Sequence, residues 1–252
     1  MPDQSPVVLV TGAARRIGAC IATEFHQQGC RVIVHYHHSE ADARQLIDGF
    51  NNTRANSASM IQADLTDASQ VSRLGELAAQ AFGQLNYLVN NASSFYPTTL
   101  AESTQQQWDD LVDSNLRSAY FLSKALAPAL QEQRGAIINL VDSHADSALA
   151  GFPIYSIAKA GVKAMTKALA KELAPHVRVN GVSPGAILWP ESLLDDTDPE
   201  VQLAREKILA GIPLGKTGSA QQIADAAWFF AACASYVTGQ VVKVDGGRSL
   251  TA

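Results

Sequence analysis

Short runs of aliphatic and β-branched residues return along this chain. Between them lie longer stretches whose apolar positions recur three and four residues apart. The runs are VVLV (7–10), RVIVHY (31–36), SMIQA (59–63), LNYLVN (85–90), GAIINLV (135–141), VRVNGV (177–182) and VVKV (241–244). Continuous apolar runs of this length predict strands buried on both faces. Helical spacing occupies stretches near 17–28, 40–50, 68–82, 105–131, 154–174 and 220–234. Strands that alternate with helices predict an α/β fold, a doubly wound parallel sheet with helices on both faces joined by right-handed crossovers. No repeat, low-complexity run or linker divides residues 1–252, so a single domain is expected. The longest interruption, AILWPESLLDDTDPEVQLAREKILAGI (186–212), is expected to contain a short helix and to serve as a lid over a substrate.

Composition narrows the function classes. With 47% hydrophobic and 17% charged residues the chain is ordinary for a globular protein. Its 19 Lys and Arg against 24 Asp and Glu give a net charge of -5, which argues against a nucleic-acid partner. No apolar run approaches the roughly 20 residues of a membrane span, and MPDQSP lacks the basic-then-apolar order of a secretory signal. Cys20, Cys30 and Cys233 are odd in number and far apart, forming neither a disulfide framework nor a metal-ligand pattern. The expectation is a cytoplasmic protein that binds no metal, no nucleic acid and no membrane.

Candidate chemistry begins at TGAARRIG (11–18), between the first strand and the first helix. A glycine turn here, with Thr11, Gly12, Ile17 and Gly18, opens a helix whose amides and dipole favour an anion such as a pyrophosphate. The dinucleotide fingerprint asks for a second glycine inside the loop, where this chain has Arg16 beside Arg15. The second strand ends in HYHHS, that is His35, Tyr36, His37, His38 and Ser39, with no acid to accept from the ribose hydroxyls as an NAD site requires. Arg15, His37, His38 and Ser39 suit a 2′-phosphate instead, the alternative being that the histidines cap an exposed strand end. After the third strand, Asp64 and Leu65 of ADL place a carboxylate where adenine's amino group is expected. After the fourth comes NNA (90–92), with Asn91 and Ala92. These features favour NADPH/NADP+ as the cofactor. In YSIAK, Tyr155 and Lys159 are spaced i, i+4 on one helix face, so that an ammonium can lower the tyrosine pKa and make it an acid or base.

TGAARRIG, NNAS, Asn115 in DSNLRSAYF, YSIAK, RVNGVSPG and VTGQVVKVDGG, in this order, resemble the short-chain dehydrogenase/reductases over essentially the full chain. The resemblance implies a Rossmann-type fold of about seven strands and usually a homotetramer. It implies Tyr155 as proton donor, Lys159 on the nicotinamide ribose and Asn115 in a water relay, and it adds Ser93, Pro184 and Gly185 to the cofactor-binding set. Most members carry a serine thirteen residues before the tyrosine, where this chain has Asp142 in INLVDSHAD. A carboxylate there repels the alkoxide of carbonyl reduction, and Ser143 replaces the serine only if the register slips.

Arg16 in the loop, Asp142 before Tyr155 and Phe95 in NNASSFYP together resemble the pteridine reductase subgroup of that family, as do HYHHS, NLVD and VKVDGGRSL. The subgroup implies a pterin or folate stacked between Phe95 and nicotinamide. Arg16 then bridges cofactor phosphate and substrate, and Asp142 feeds a proton through Tyr155. The plainer alternatives are Arg16 as a phosphate ligand only, Phe95 as core packing and Asp142 as a structural cap. Trp189 in SPGAILWP is expected to wall the substrate pocket or to be an apolar lid residue. Two departures stand out: His38 where the subgroup commonly has Arg, and Ile187 where some members have a phosphate-binding serine. The competing readings are a generic ketone or 3-oxoacyl reductase and a non-catalytic NADP-binding regulatory protein.

Overall fold

Val7, Val8, Leu9 and Val10 form β1 (Val7–Val10), and none of the four is accessible to solvent. Side chains branched at Cβ resist the helix and suit a pleated strand packed on both sides. The computed structural model describes residues 4–189, 193–195 and 197–251. In it β1 lies inside a sheet with β2 (Arg31–Tyr36), β3 (Ala58–Gln62), β4 (Tyr87–Asn90), β5 (Ala136–Leu140), β6 (Arg178–Pro184) and β7 (Val241–Val244). The order is β3-β2-β1-β4-β5-β6-β7, with every neighbouring pair parallel. The chain runs outward from β1 to β3 and restarts at β4 on β1's other side. Crossovers on the two sides therefore leave in opposite directions, which opens a crevice at the strands' carboxyl ends.

Alternation along β1 divides the core. Val8 and Val10 pack under α1 (Arg16–Gln27), α2 (Glu40–Thr53) and α9 (Ala220–Trp228). Val7 and Leu9 pack under α3 (Ala68–Ala81), α5 (Ser118–Glu132) and α7 (Pro153–Leu173). All seven apolar runs form the expected strands.

The helical stretch expected at 105–131 is divided. α4 (Gln105–Val112) passes through a π-helical turn, Asp113–Arg117, into α5. Side-chain donors compete for the helix carbonyls there: Asn115 Nδ2 reaches Leu111 O at 3.0 Å and Ser114 Oγ reaches Asp110 O at 2.6 Å. Such back-bonding loosens the regular ladder and favours a bulge, often at a functional position. A second π-helical turn, Phe229–Cys233, follows α9, and a four-residue helix α6 (His144–Ser147), outside the expected helical stretches, follows β5. The 186–212 segment contains the expected helix, α8 (Pro199–Ala210), capped by Asp198. Among the described residues no helix is long and apolar enough to cross a membrane, and no three His, Cys, Asp or Glu residues are grouped to hold a metal.

Candidate active site

The turn after β1 is built for close approach. Gly12 has φ +61, and a Cβ on Gly18 would lie 2.2 Å from Gly12 O and 2.5 Å from Asn91 Nδ2. The turn is stitched to the end of β4: Thr11 Oγ1 accepts from Asn91 N at 2.9 Å and Ala92 N at 3.0 Å, while Asn91 Nδ2 donates to Thr11 O at 2.8 Å. Arg16 holds φ +53, so it keeps the left-handed conformation that the fingerprint glycine supplies. For a residue with a Cβ this costs about 1–2 kcal/mol, a strain characteristic of functional loops. No side chain caps α1. The helix start opens on a cleft of about 530 Å³, whose lining includes Arg15, Arg16, Ile17, Leu65, Ala92 and Ser93. Uncapped amides and a helix dipole facing a polar cleft fit a dinucleotide pyrophosphate.

At the end of β2, His35 is buried. Its Nδ1 accepts from Gly12 N at 3.0 Å and its Nε2 donates to Ala63 O at 3.1 Å. Burial pushes its pKa down to about 4. The ring is therefore neutral and fastens the ends of β1, β2 and β3 to one another, with both nitrogens committed to backbone. Tyr36 lies in the core. His37 and His38 stand at the rim with ring centroids 3.5 Å apart, and Ser39 begins α2 without a capping bond from its hydroxyl. Two of the neighbouring basic side chains face acids: His37 Nε2 lies 3.7 Å from Asp64 Oδ2, and Arg15 binds Asp42 Oδ2 through Nε at 2.7 Å. Burial favours protonation of Asp64, but bonds from Thr66 outweigh it and hold the carboxyl below its usual range.

The second half of the crevice carries titratable groups in contact. Tyr155 and Lys159 lie one turn apart near the start of α7, both buried. Tyr155 OH donates to Asp142 Oδ2 at 2.8 Å. Lys159 Nζ donates to Leu140 O at 3.1 Å and lies 5.7 Å from the centre of the Tyr155 ring. Burial pulls Lys159 down to about 8, opposed by the charge of Asp142. Burial, and then the charge and bond of Asp142, push Tyr155 well above its ordinary value. Burial also works against the Asp142 carboxylate, but bonds from His144 and Tyr155 prevail and bring its pKa below the ordinary one. In the resting protein the pair is thus a carboxylate accepting from a phenol.

Around this pair, Ser93 Oγ donates to Asn115 Oδ1 at 2.6 Å and Asn115 Nδ2 donates to Ser94 O at 2.9 Å, so the π-helical turn aims Asn115 at the end of β4. Phe95 is half exposed, stacked on Phe152 (4.6 Å, 7°) and edge-on to Tyr155 (4.8 Å). Ser143 N donates to Pro184 O at 3.0 Å, and Gly185 lies against Asp245, where a Cβ would come within 2.5 Å. The register has not slipped: Asp142, not Ser143, bonds the tyrosine. Trp189 stands at the start of the 186–212 segment with the Arg205 guanidinium 5.1 Å from its ring. Pro190, Glu191, Ser192 and Asp196 of that segment lie outside the described residues. Sequence reasoning missed His144, which bonds Asp142, and Phe152, the support of Phe95. An Asp commonly bonds the backbone two residues on, which marks the turn but not the ring bond of His144; nothing local marks Phe152.

A family model described as Enoyl-(Acyl carrier protein) reductase matches residues 12–249. Pteridine reductase 1 from Leishmania tarentolae is 38% identical, covering 98% of this chain and 97% of its own. A 3-oxoacyl-[acyl-carrier-protein] reductase from Staphylococcus aureus is 36% identical over 95% of this chain and 96% of its own. The 3beta-hydroxysteroid dehydrogenase 1 of Eggerthella lenta is 32% identical over 96% and 93%.

Proposed function

The chain belongs to the short-chain dehydrogenase/reductase family, and we propose that within it the protein is an NADPH-dependent pteridine reductase acting on oxidised pterins, dihydropterins or folates. The observation that carries the reading is the Asp142 carboxylate 2.8 Å from the Tyr155 hydroxyl. In carbonyl reduction an oxyanion develops beside that position, and a carboxylate opposes it. In pterin reduction hydride goes to a ring carbon and a proton to the adjacent ring nitrogen, so no oxyanion forms. The bound cofactor supplies the hydride. Tyr155 gives its proton to the ring nitrogen, and the proton is replaced through Asp142, which rests as the carboxylate bonded to it. Lys159 holds the nicotinamide ribose and favours the phenolate, while Asn115 with Ser93 supports the path by which protons return. Phe95, flat and half exposed beside Tyr155, offers the stacking surface. Arg16, held in its left-handed turn at the cleft, is assigned to cofactor phosphate and the polar edge of the substrate. Arg15, His37, His38 and Ser39 are assigned to the 2′-phosphate.

The identity to a 3-oxoacyl reductase favours a second reading, reduction of a ketone or oxoacyl thioester. NADPH oxidation measured separately with a pterin, a folate, an oxoacyl thioester and a simple ketone separates the two. Turnover of pterin well above ketone is expected. Turnover of ketone or thioester alone overturns the reading, and turnover of none favours an NADP-binding regulatory protein. We include in the proposal a cytoplasmic setting and a homotetramer, with Tyr120 and Phe121 on α5 and Ile157 on α7 as exposed apolar side chains suited to an interface.

A further inference from the structure

From Tyr155 a line of hydrogen bonds leads outward. Tyr155 OH donates to Asp142 Oδ2 at 2.8 Å, and Asp142 Oδ1 accepts from both the backbone N and the ring Nδ1 of His144, each at 2.8 Å. Both His144 bonds fall on one carboxylate oxygen, which leaves the other aimed at the tyrosine. The His144 and Asp142 side chains are 21% and 23% exposed, so both reach the edge of the site while Tyr155 is buried.

We propose that His144 is a positioning residue that shares one proton with Asp142, and that this shared proton is what allows Tyr155 to act as an acid. The inference rests on the reductase reading of Tyr155 and Asp142. A bare carboxylate against the phenol opposes its ionisation, because two negative charges would then face each other across one hydrogen bond, with the phenol buried. An imidazolium on the carboxylate's far oxygen cancels that charge, and the proton between them can rest on either partner. Histidine is the side chain that gains and loses its proton between about pH 5 and 8, and a tightly bonded pair titrates as a unit. As pH rises through the titration of the pair, the proton is lost, a net negative charge faces Tyr155 and turnover falls.

The other charged groups around this turn are accounted for. Asp146, on the same short helix, is held by Lys163 of α7 and by Lys243 of β7, the latter at 3.1 Å. Its charge is thereby compensated, and Asp142 is the carboxylate bonded to the imidazole. From α7, Tyr155 faces Asp142 directly, and Lys159, whose charge favours an ionised Asp142, is bonded to Leu140 O.

The test compares kcat and KM for NADPH-dependent pterin reduction from about pH 5 to 9 in the wild type, His144→Ala and His144→Asn. Asparagine retains a neutral donor but cannot carry the extra proton. Both variants should lose roughly tenfold or more in kcat near pH 7.5 with KM little changed, the low end of the usual worth of acid–base assistance. Both should recover towards wild type as pH falls, because the proton then rests on Asp142 alone. The descending limb should therefore move about one pH unit or more to the acid side. A loss that is uniform with pH, or a His144→Asn profile that matches wild type, overturns the proposal. A second measurement needs no substrate: the NMR titration of His144 in the free protein, with and without Asp142→Asn. The midpoint should fall when the carboxylate is removed, and an unchanged midpoint refutes the coupling. If the midpoint falls but the wild type reduces no pterin, the substrate reading is lost and the shared proton stands.

Discussion

Asp142 departs from the serine that most of the resembling family places before its tyrosine, and the structure gives the departure a partner, the hydroxyl of Tyr155 at 2.8 Å. If the carboxyl supplies protons through Tyr155, Asp142→Ser should depress pterin kcat by roughly 10²–10⁴. NADPH affinity should stay near wild type, since no contact of Asp142 with the cofactor phosphates is invoked, and slow ketone reduction should appear or rise. Undiminished pterin turnover in that variant would reduce the carboxylate to a structural feature. Tyr155→Phe should abolish turnover while NADPH binding, followed by fluorescence, remains. Retained turnover would remove the tyrosine from the chemistry. At this scale the sequence was informative because Tyr155, Lys159 and Asp142 lie in motifs with fixed spacing. His144 was not legible, since its bond to Asp142 spans two residues of a turn and leaves no periodic trace. Phe152 was not legible because its stacking on Phe95 joins positions far apart in the chain.

Elements show a different balance. Apolar runs marked every strand, because burial on both faces of a parallel sheet demands them. The bulge at Asp113–Arg117 was hidden, because it depends on which carbonyls Ser114 and Asn115 capture and not on apolar spacing. Another relation between elements bears on cofactor choice. Arg15, at the start of α1, is tied to Asp42 in the first turn of α2. Arg15, one of the three basic side chains expected for a 2′-phosphate, thus already has an acid beside it. Asp42→Asn should free the guanidinium and raise the ratio of kcat/KM for NADPH over NADH by a few-fold, the scale of an exposed ion pair. A ratio indifferent to Asp42→Asn would take Arg15 out of the phosphate site.

For the whole molecule, alternation of strand and helix predicted a doubly wound sheet, but strand order is not a property of any one run. The family resemblance implied about seven strands but no order, and the order β3-β2-β1-β4-β5-β6-β7 emerges from how the crossovers pack. What holds the switch point together has a consequence for global stability. His35 is buried between Gly12 N and Ala63 O, with its pKa brought down to about 4 from the ordinary 6.5. The unfolded chain therefore binds a proton at this residue between about pH 6.5 and 4 that the folded chain does not. Stability is complete above pH 6.5 and falls as pH drops towards 4, by about 3 kcal/mol in all at ~1.4 kcal/mol per pH unit. Against a total of roughly 5–15 kcal/mol that is a visible share. Protonation would also turn Nδ1 from an acceptor into a donor facing the Gly12 amide, so the turn that binds the cofactor loosens along with the fold. Carboxylates held below their usual range, such as Asp67 at about 2, lose their contribution only at lower pH, so the two windows are separable. Thermal melts at about pH 7, 6 and 5 should show a steep fall for wild type. His35→Asn should melt lower at pH 7, having lost its bonds to backbone, yet change less between pH 7 and 5. Parallel pH dependences in the two proteins would place the acid sensitivity elsewhere and leave His35 as a neutral strut alone.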